Sequence, residues 1–75
     1  MDLEKQLAEL SFQITLARNN NLANDTIYER YGENYFELVE TIEGKRLDEF
    51  AIADINKYPY LNFLKEIKNQ SILEC

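Results

Sequence analysis

Residues 2–19, DLEKQLAELSFQITLARN, carry the clearest periodic pattern in the chain. Asp2 places an acidic side chain at the positive end of any helix that begins there. The three asparagines at 19–21 are expected to end that helix, because asparagine competes for backbone hydrogen bonds and tolerates turns. A helix over about residues 2–19 is predicted from an apolar seam with steps of four, three, four and three: Leu3, Leu7, Leu10, Ile14 and Ala17.

A second apolar set lies on another side of the same helix. Ala8, Phe12 and Leu16 follow one another at steps of four, so they form a stripe separate from the seam. A helix with two apolar stripes is expected to pack against two neighbours.

The next element is predicted to be a short helix that runs to Tyr31. Asn24 or Asp25 is the candidate N-cap, since both side chains can accept a hydrogen bond from the first helical turn. Gly32 is expected to end this helix in the left-handed conformation.

A further helix is predicted from Asn34 to Gly44. Asn34 is its candidate N-cap, and Glu37 occupies the third position of a capping-box pattern. The alternative is a hairpin with strands at 35–42 and 46–52, but each strand face would then mix apolar and acidic side chains. The helix is favoured by the spacing of four apolar residues: Tyr35, Leu38, Val39 and Ile42.

The remainder of the chain also has helical spacing. A helix across 46–56 is predicted from Leu47, Phe50, Ala51 and Ile55, and Pro59 then forces a break or opens a new helix. The last stripe consists of Tyr60, Phe63, Leu64 and Ile67. With only two glycines and one proline, the composition favours helix throughout. The predicted fold is therefore all-α, a bundle of four or five short helices in one domain spanning residues 1–75.

Several kinds of chemistry lack the residues they require. The chain contains no histidine, so the usual general base and a common metal ligand are missing. Its single cysteine, Cys75, is expected to be an exposed thiol, and the two glycines are too isolated for a phosphate-binding loop. We expect no enzyme activity, no metal site and no cofactor.

Composition also bears on location and on nucleic acids. No run of 18 apolar residues and no signal-peptide pattern is present, so a cytoplasmic protein without a membrane segment is expected. Eight basic against fourteen acidic residues disfavour direct nucleic-acid binding, which requires a basic surface. One small basic patch could still form in the fold from Arg18, Lys57, Lys65 and Lys68.

The net charge of −6 is concentrated in the middle of the chain. Residues 20–55 hold nine acids and three bases, and tyrosines lie among them. Acidic surfaces attract basic partners, and tyrosine is enriched in interfaces. The first hypothesis is a small acidic binding module or inhibitor that docks on a basic surface of another protein. That partner could be a nucleic-acid-binding or defence enzyme, as for small inhibitors carried by phages or mobile elements. The predicted partner-binding residues are Asp25, Tyr28, Glu29, Tyr31, Glu33, Tyr35, Glu37 and Glu40.

The second hypothesis is a structural homo-oligomer. The seam of Leu3, Leu7, Leu10, Ile14 and Ala17 would then pair across a two-fold axis, giving a homodimer without a separate ligand. The two hypotheses are compatible, since a dimer could also present the acidic residues.

Overall fold

The computed structural model describes the backbone of residues 2–73 and the side chains of residues 2–70, so Cys75 lies outside the described part. All the regular secondary structure within these residues is helical. The all-α prediction is confirmed, and so is the long N-terminal helix. The elements in order are α1 (Leu3–Asn19), α2 (Asn24–Ile27), a π-helical turn (Tyr28–Gly32), α3 (Glu33–Glu43), a 3-10 turn (Leu47–Glu49), α4 (Ile52–Asn56) and α5 (Leu61–Leu73).

Both ends of α1 form as the sequence indicates. The carboxylate of Asp2 accepts hydrogen bonds from the backbone N–H groups of Glu4 (3.1 Å) and Lys5 (3.3 Å), which satisfies two donors of the first turn. The helix ends at Asn19, and Asn21 adopts the left-handed conformation with φ of 61°. The asparagine run therefore turns the chain back towards α1.

The predicted helix stop at Gly32 is wrong. Gly32 has φ of −59° and ψ of −52°, so α2, the π turn and α3 form one uninterrupted helical path over residues 24–43, called the central helix below. The glycine instead allows the Tyr28 ring to pack close to the backbone, because a Cβ atom at position 32 would lie 2.6 Å from that ring. The same ring packs edge-on against Phe36, with ring centroids 6.1 Å apart.

The predicted asparagine caps of this region are also wrong. Ala23 is the N-cap of α2, without a side-chain cap, so Asn24 and Asp25 already belong to the helix. Asn34 lies inside the helical path and has no free N-terminus to cap. The predicted stop at Gly44 is confirmed, because Gly44 is left-handed with φ of 70° and its N–H donates to the Glu40 carbonyl at 2.8 Å. Because α3 is helical as far as Glu43, the alternative hairpin with a strand at 35–42 is ruled out.

The continuous helix predicted across 46–56 is broken. Phe50 and Ala51 are extended, with ψ of 131° and 169°, and they separate the 3-10 turn from α4. Two carboxylates accept bonds from backbone N–H groups three residues earlier: Glu49 from Arg46 at 2.8 Å and Asp54 from Ala51 at 3.1 Å. Such local bonds offer the backbone an alternative to continued helix. A turn around Pro59 separates α4 from α5, so the helix interruption predicted there is confirmed.

The core lies where α1, the central helix and α5 meet. Its largest fully buried side chains are Ile14, Ile27, Tyr35, Val39, Leu61 and Leu64. Every buried side-chain nitrogen or oxygen in the described part has a hydrogen-bond partner. The second stripe of α1 does not join this core: Ala8 is exposed, and Phe12 and Leu16 keep 59% and 39% of their surface accessible. The second stripe is therefore not what packs, although α1 does contact two neighbours, α3 and α2, as expected.

Candidate protein-binding surface

Four carboxylates form an exposed row along the central helix. Asp25, Glu29, Glu33 and Glu37 are all exposed, and they are called the acidic face below. In a regular α-helix, residues four apart drift by about 40° per step around the axis. The π turn spans Tyr28–Gly32, and its i→i+5 bonding places more residues in each turn. It therefore offsets part of the drift, which keeps the row on one side of the helix.

The acidic face has no intramolecular ion pair within the described residues. The two ion pairs found there join Lys45 to Asp54 at 2.6 Å and Lys57 to Glu43 at 3.7 Å. Both lie at the junction of α3 with the segment that follows it. Arg30, the nearest base in sequence, is itself exposed. The carboxylates of the acidic face therefore remain available to cations outside the molecule.

Two of the predicted tyrosines lie in the same stretch of the central helix as this face. Tyr28 and Tyr31 are half-buried, with part of each side chain packed against the core. Burial and the negative charge of Glu33 raise the pKa of the Tyr28 hydroxyl. Tyr28 precedes Glu33 by five residues, a spacing that the i→i+5 bonding of the π turn brings close together.

Two other predicted contact residues do not lie on that surface. Tyr35 is fully buried, its hydroxyl accepts a bond from the Tyr60 N–H at 3.4 Å, and burial raises its pKa. Glu40 is half-buried, and its carboxylate accepts the Leu47 N–H at 2.7 Å. Helical periodicity explains why both residues lie away from the acidic face. Tyr35 shares a helix face with the apolar residues, and Glu40 points towards the segment that follows α3.

An open groove separates α1 from α3 beside the acidic face. Its volume is about 580 Å³, and the sequence alone did not indicate it. Its walls are Leu3, Gln6, Glu9, Leu10 and Gln13 from α1, and Asn34, Glu37, Leu38 and Thr41 from α3. Glu37 belongs both to the groove and to the acidic face, so the two features form one continuous surface. Sequence reasoning missed the groove because it depends on how two distant segments pack.

The apolar seam proposed for an oligomer is used inside the chain. Leu7, Ile14 and Ala17 keep 9%, 0% and 5% of their surface accessible. Leu3 and Leu10 are partly buried and line the groove. A homo-oligomer built on this seam would have to open the core that holds the protomer together.

The four bases considered for one basic patch lie in different surroundings. The Arg18 guanidinium lies 4.6 Å from the centre of the Phe63 ring, and Lys57 pairs with Glu43. Lys65 and Lys68 line a separate concavity of about 360 Å³, together with the acids Glu40 and Asp48. The other lining residues are Arg46, Leu47 and Asn69. Of the four bases, only Lys65 and Lys68 are brought together by these contacts.

Neither a metal site nor a membrane-spanning helix is found in the described part of the chain. Among residues 2–70, no three acidic side chains come together as a metal site would require. None of the helices within residues 2–73 is both long enough and apolar enough to span a bilayer. No protein-family model matches the chain, and no curated protein or solved structure is significantly similar to it.

Proposed function

We propose that this protein is a small cytoplasmic binding module that docks on a basic surface of another protein through its acidic face. The observation that carries the proposal is the row of exposed carboxylates without intramolecular ion pairs among the described residues. Like charges four residues apart destabilise a helix by a few tenths of a kcal/mol per pair. A cationic partner would relieve that repulsion.

The proposed recognition is electrostatic and aromatic together. Complementary charge increases the association rate and favours the correct partner over others. The exposed edges of Tyr28 and Tyr31 add contact area of the kind that is enriched in interfaces. Binding would inhibit the partner if the basic surface it covers normally holds nucleic acid or another anionic substrate. The proposal assigns this chain no catalytic role.

The test is affinity capture from cells that naturally contain the protein or meet it. The immobilised wild type is compared with a face variant, Glu29→Lys, Glu33→Lys and Glu37→Lys. The matched control reverses three exposed acids elsewhere: Glu4→Lys, Asp48→Lys and Glu66→Lys. Both triple variants shift the formal charge from −6 to zero, since each reversal adds two charges.

The proposal predicts a captured protein that the wild type and the control retain and the face variant loses. Capture should weaken between about 0.1 M and 1 M salt, because the screening length falls from about 10 Å to about 3 Å. Equal loss in both variants would mean that net charge alone matters. Equal retention in both would mean that the acidic face contributes only to solubility.

A further inference from the structure

We infer that the groove between α1 and α3 receives an amphipathic basic helix of the partner protein. This inference rests on the proposed function and specifies which part of the partner is held. It states where the partner binds, that apolar side chains contribute to the contact, and that the bound segment of the partner is helical.

The lining of the groove is apolar at its base and polar at its edges. Leu10 and Leu38 are half-buried and contribute apolar surface from the two walls. Glu9 and Glu37 contribute one carboxylate from each wall, and no lysine or arginine lines the groove. A ligand that fits this pattern carries apolar side chains along one stripe and cations on both flanks of that stripe.

The dimensions of the groove suit a helix. The lining residues of α1 run from Leu3 to Gln13, which corresponds to about 15 Å along the helix axis, and those of α3 run from Asn34 to Thr41, or about 10 Å. Two to three turns of a docked helix cover this length. Amphipathic helices bind in such grooves through apolar residues at i, i+3, i+4 and i+7. A peptide that binds by adding a strand would need a sheet edge, and residues 2–73 form no strand.

A second copy of this chain suits the groove poorly. Each copy carries a net charge of −6, so association would bring like charges together. The charge of the groove itself is complementary to a basic segment, which makes a partner of opposite charge the better occupant.

The experiment uses synthetic 18-residue peptides and the full chain. The first peptide is an amphipathic helix of leucine and lysine. The second keeps every lysine and replaces each leucine with glutamine, and the third replaces each lysine of the first with glutamate. Binding is measured by fluorescence anisotropy with the wild type, two double variants and the triple variant Glu29→Lys, Glu33→Lys and Glu37→Lys. The groove variant is Gln13→Arg with Asn34→Arg, and its control is Gln70→Arg with Asn62→Arg; all four positions are exposed, and only the first two line the groove.

The leucine–lysine peptide should bind the wild type at least about tenfold more tightly than either other peptide. The groove variant should lose at least about tenfold in affinity, because two arginines face the basic peptide where like charges are strongly unfavourable. The control should stay within about twofold of the wild type, since its added charges lie outside the groove. Circular dichroism of both variants verifies that the helical content is unchanged.

Three results would overturn the inference. Equal binding of the leucine–lysine and glutamine–lysine peptides, or equal binding by the groove variant and its control, would exclude the groove. In that case, loss of binding in the Glu29, Glu33 and Glu37 reversal variant would still support the proposed function, whereas unchanged binding there would count against both. A wild-type dimer in sedimentation that the groove variant dissociates would show that a second copy occupies the groove.

Discussion

Replacing Gly32 with alanine tests the close contact inside the central helix. In an ordinary helix interior this change stabilises by about 1 kcal/mol. Here the new Cβ would lie 2.6 Å, 3.0 Å and 3.1 Å from three ring atoms of Tyr28, so the ring has to move. Displacing it costs about 1–3 kcal/mol in overpacking and weakens the edge-on contact with Phe36, worth about 0.5–1.5 kcal/mol. We therefore expect Gly32→Ala to lower the free energy of unfolding by about 2 kcal/mol.

The same substitution should change sign once the ring is removed. In a Tyr28→Ala background, Gly32→Ala should raise the free energy of unfolding by about 0.5–1 kcal/mol, since only the helix propensity remains. The interaction between the two sites is then about 3 kcal/mol, at the upper end for residues in contact. Urea unfolding followed by far-UV circular dichroism measures all four proteins. Gly44→Ala is the control: its cost comes from the left-handed backbone, with no atom within 4 Å of the new Cβ, so Tyr28→Ala should not relieve it. Stabilisation by Gly32→Ala in the wild-type background, or an equal effect in both backgrounds, would refute the reasoning.

Three other predictions concern the core and two titrating groups. Ile14→Ala should lower the free energy of unfolding by about 2–5 kcal/mol, enough to unfold most of a domain this small. Phe12 is 59% exposed, so Phe12→Ala should lower it by less than about 0.5 kcal/mol. Urea midpoints that rank the two variants the other way would contradict the assignment of the core. Burial and a hydrogen bond to a carboxylate raise the pKa of Tyr58 from 10.0 to about 12, so this group's contribution to stability is complete below pH 10 and is lost as the pH rises towards 12. Tyr58→Phe should lessen that alkaline loss, and unchanged unfolding midpoints between pH 9 and pH 12 would argue against the buried hydroxyl. The hydrogen bond from Lys45 lowers the pKa of Asp54 below 3.8, so the contribution of Asp54 to stability is present above pH 3.8 and disappears on further acidification. Asp54→Asn should therefore reduce the loss of stability between pH 5 and pH 2. An acid transition identical to that of the wild type would count against the pair.

Local patterns predicted α1 and the end of the central helix because the relevant interactions are local. The Asp2 cap, the left-handed Asn21 and the left-handed Gly44 all involve residues within one or two turns of each other. Three of the five residues in the apolar seam of α1 are buried, and they are buried against the same chain. The sequence pattern cannot distinguish burial against the same chain from burial against another copy, because both remove the same residues from water.

Two of the wrong helix predictions have their origin in specific local contacts. Gly32 has the sequence signature of a helix stop, yet the contact with the Tyr28 ring makes a glycine suitable inside the helix. The break at Phe50 and Ala51 depends on Glu49 and Asp54 accepting backbone hydrogen bonds, and an apolar periodicity does not contain that information. Both of these helix boundaries therefore depend on contacts that an apolar spacing does not encode.

The candidate surface was predicted in part. The exposed positions of Asp25, Glu29, Glu33 and Glu37 follow from helical spacing once the helix is continuous. The burial of Tyr35 and the groove beside Glu37 could not be inferred, because they depend on how α1 packs against the central helix.

The most direct test of the central claim is a nuclear magnetic resonance titration. Isotopically labelled protein is titrated with the protein captured from the native lysate, and shifts of the backbone amides are followed residue by residue. If the acidic face and the groove bind the partner, the largest shifts fall along residues 25–37 of the central helix and on the facing residues of α1, and they diminish at high salt. Shifts centred instead on Lys65 and Lys68, or shifts that do not respond to salt, would contradict it.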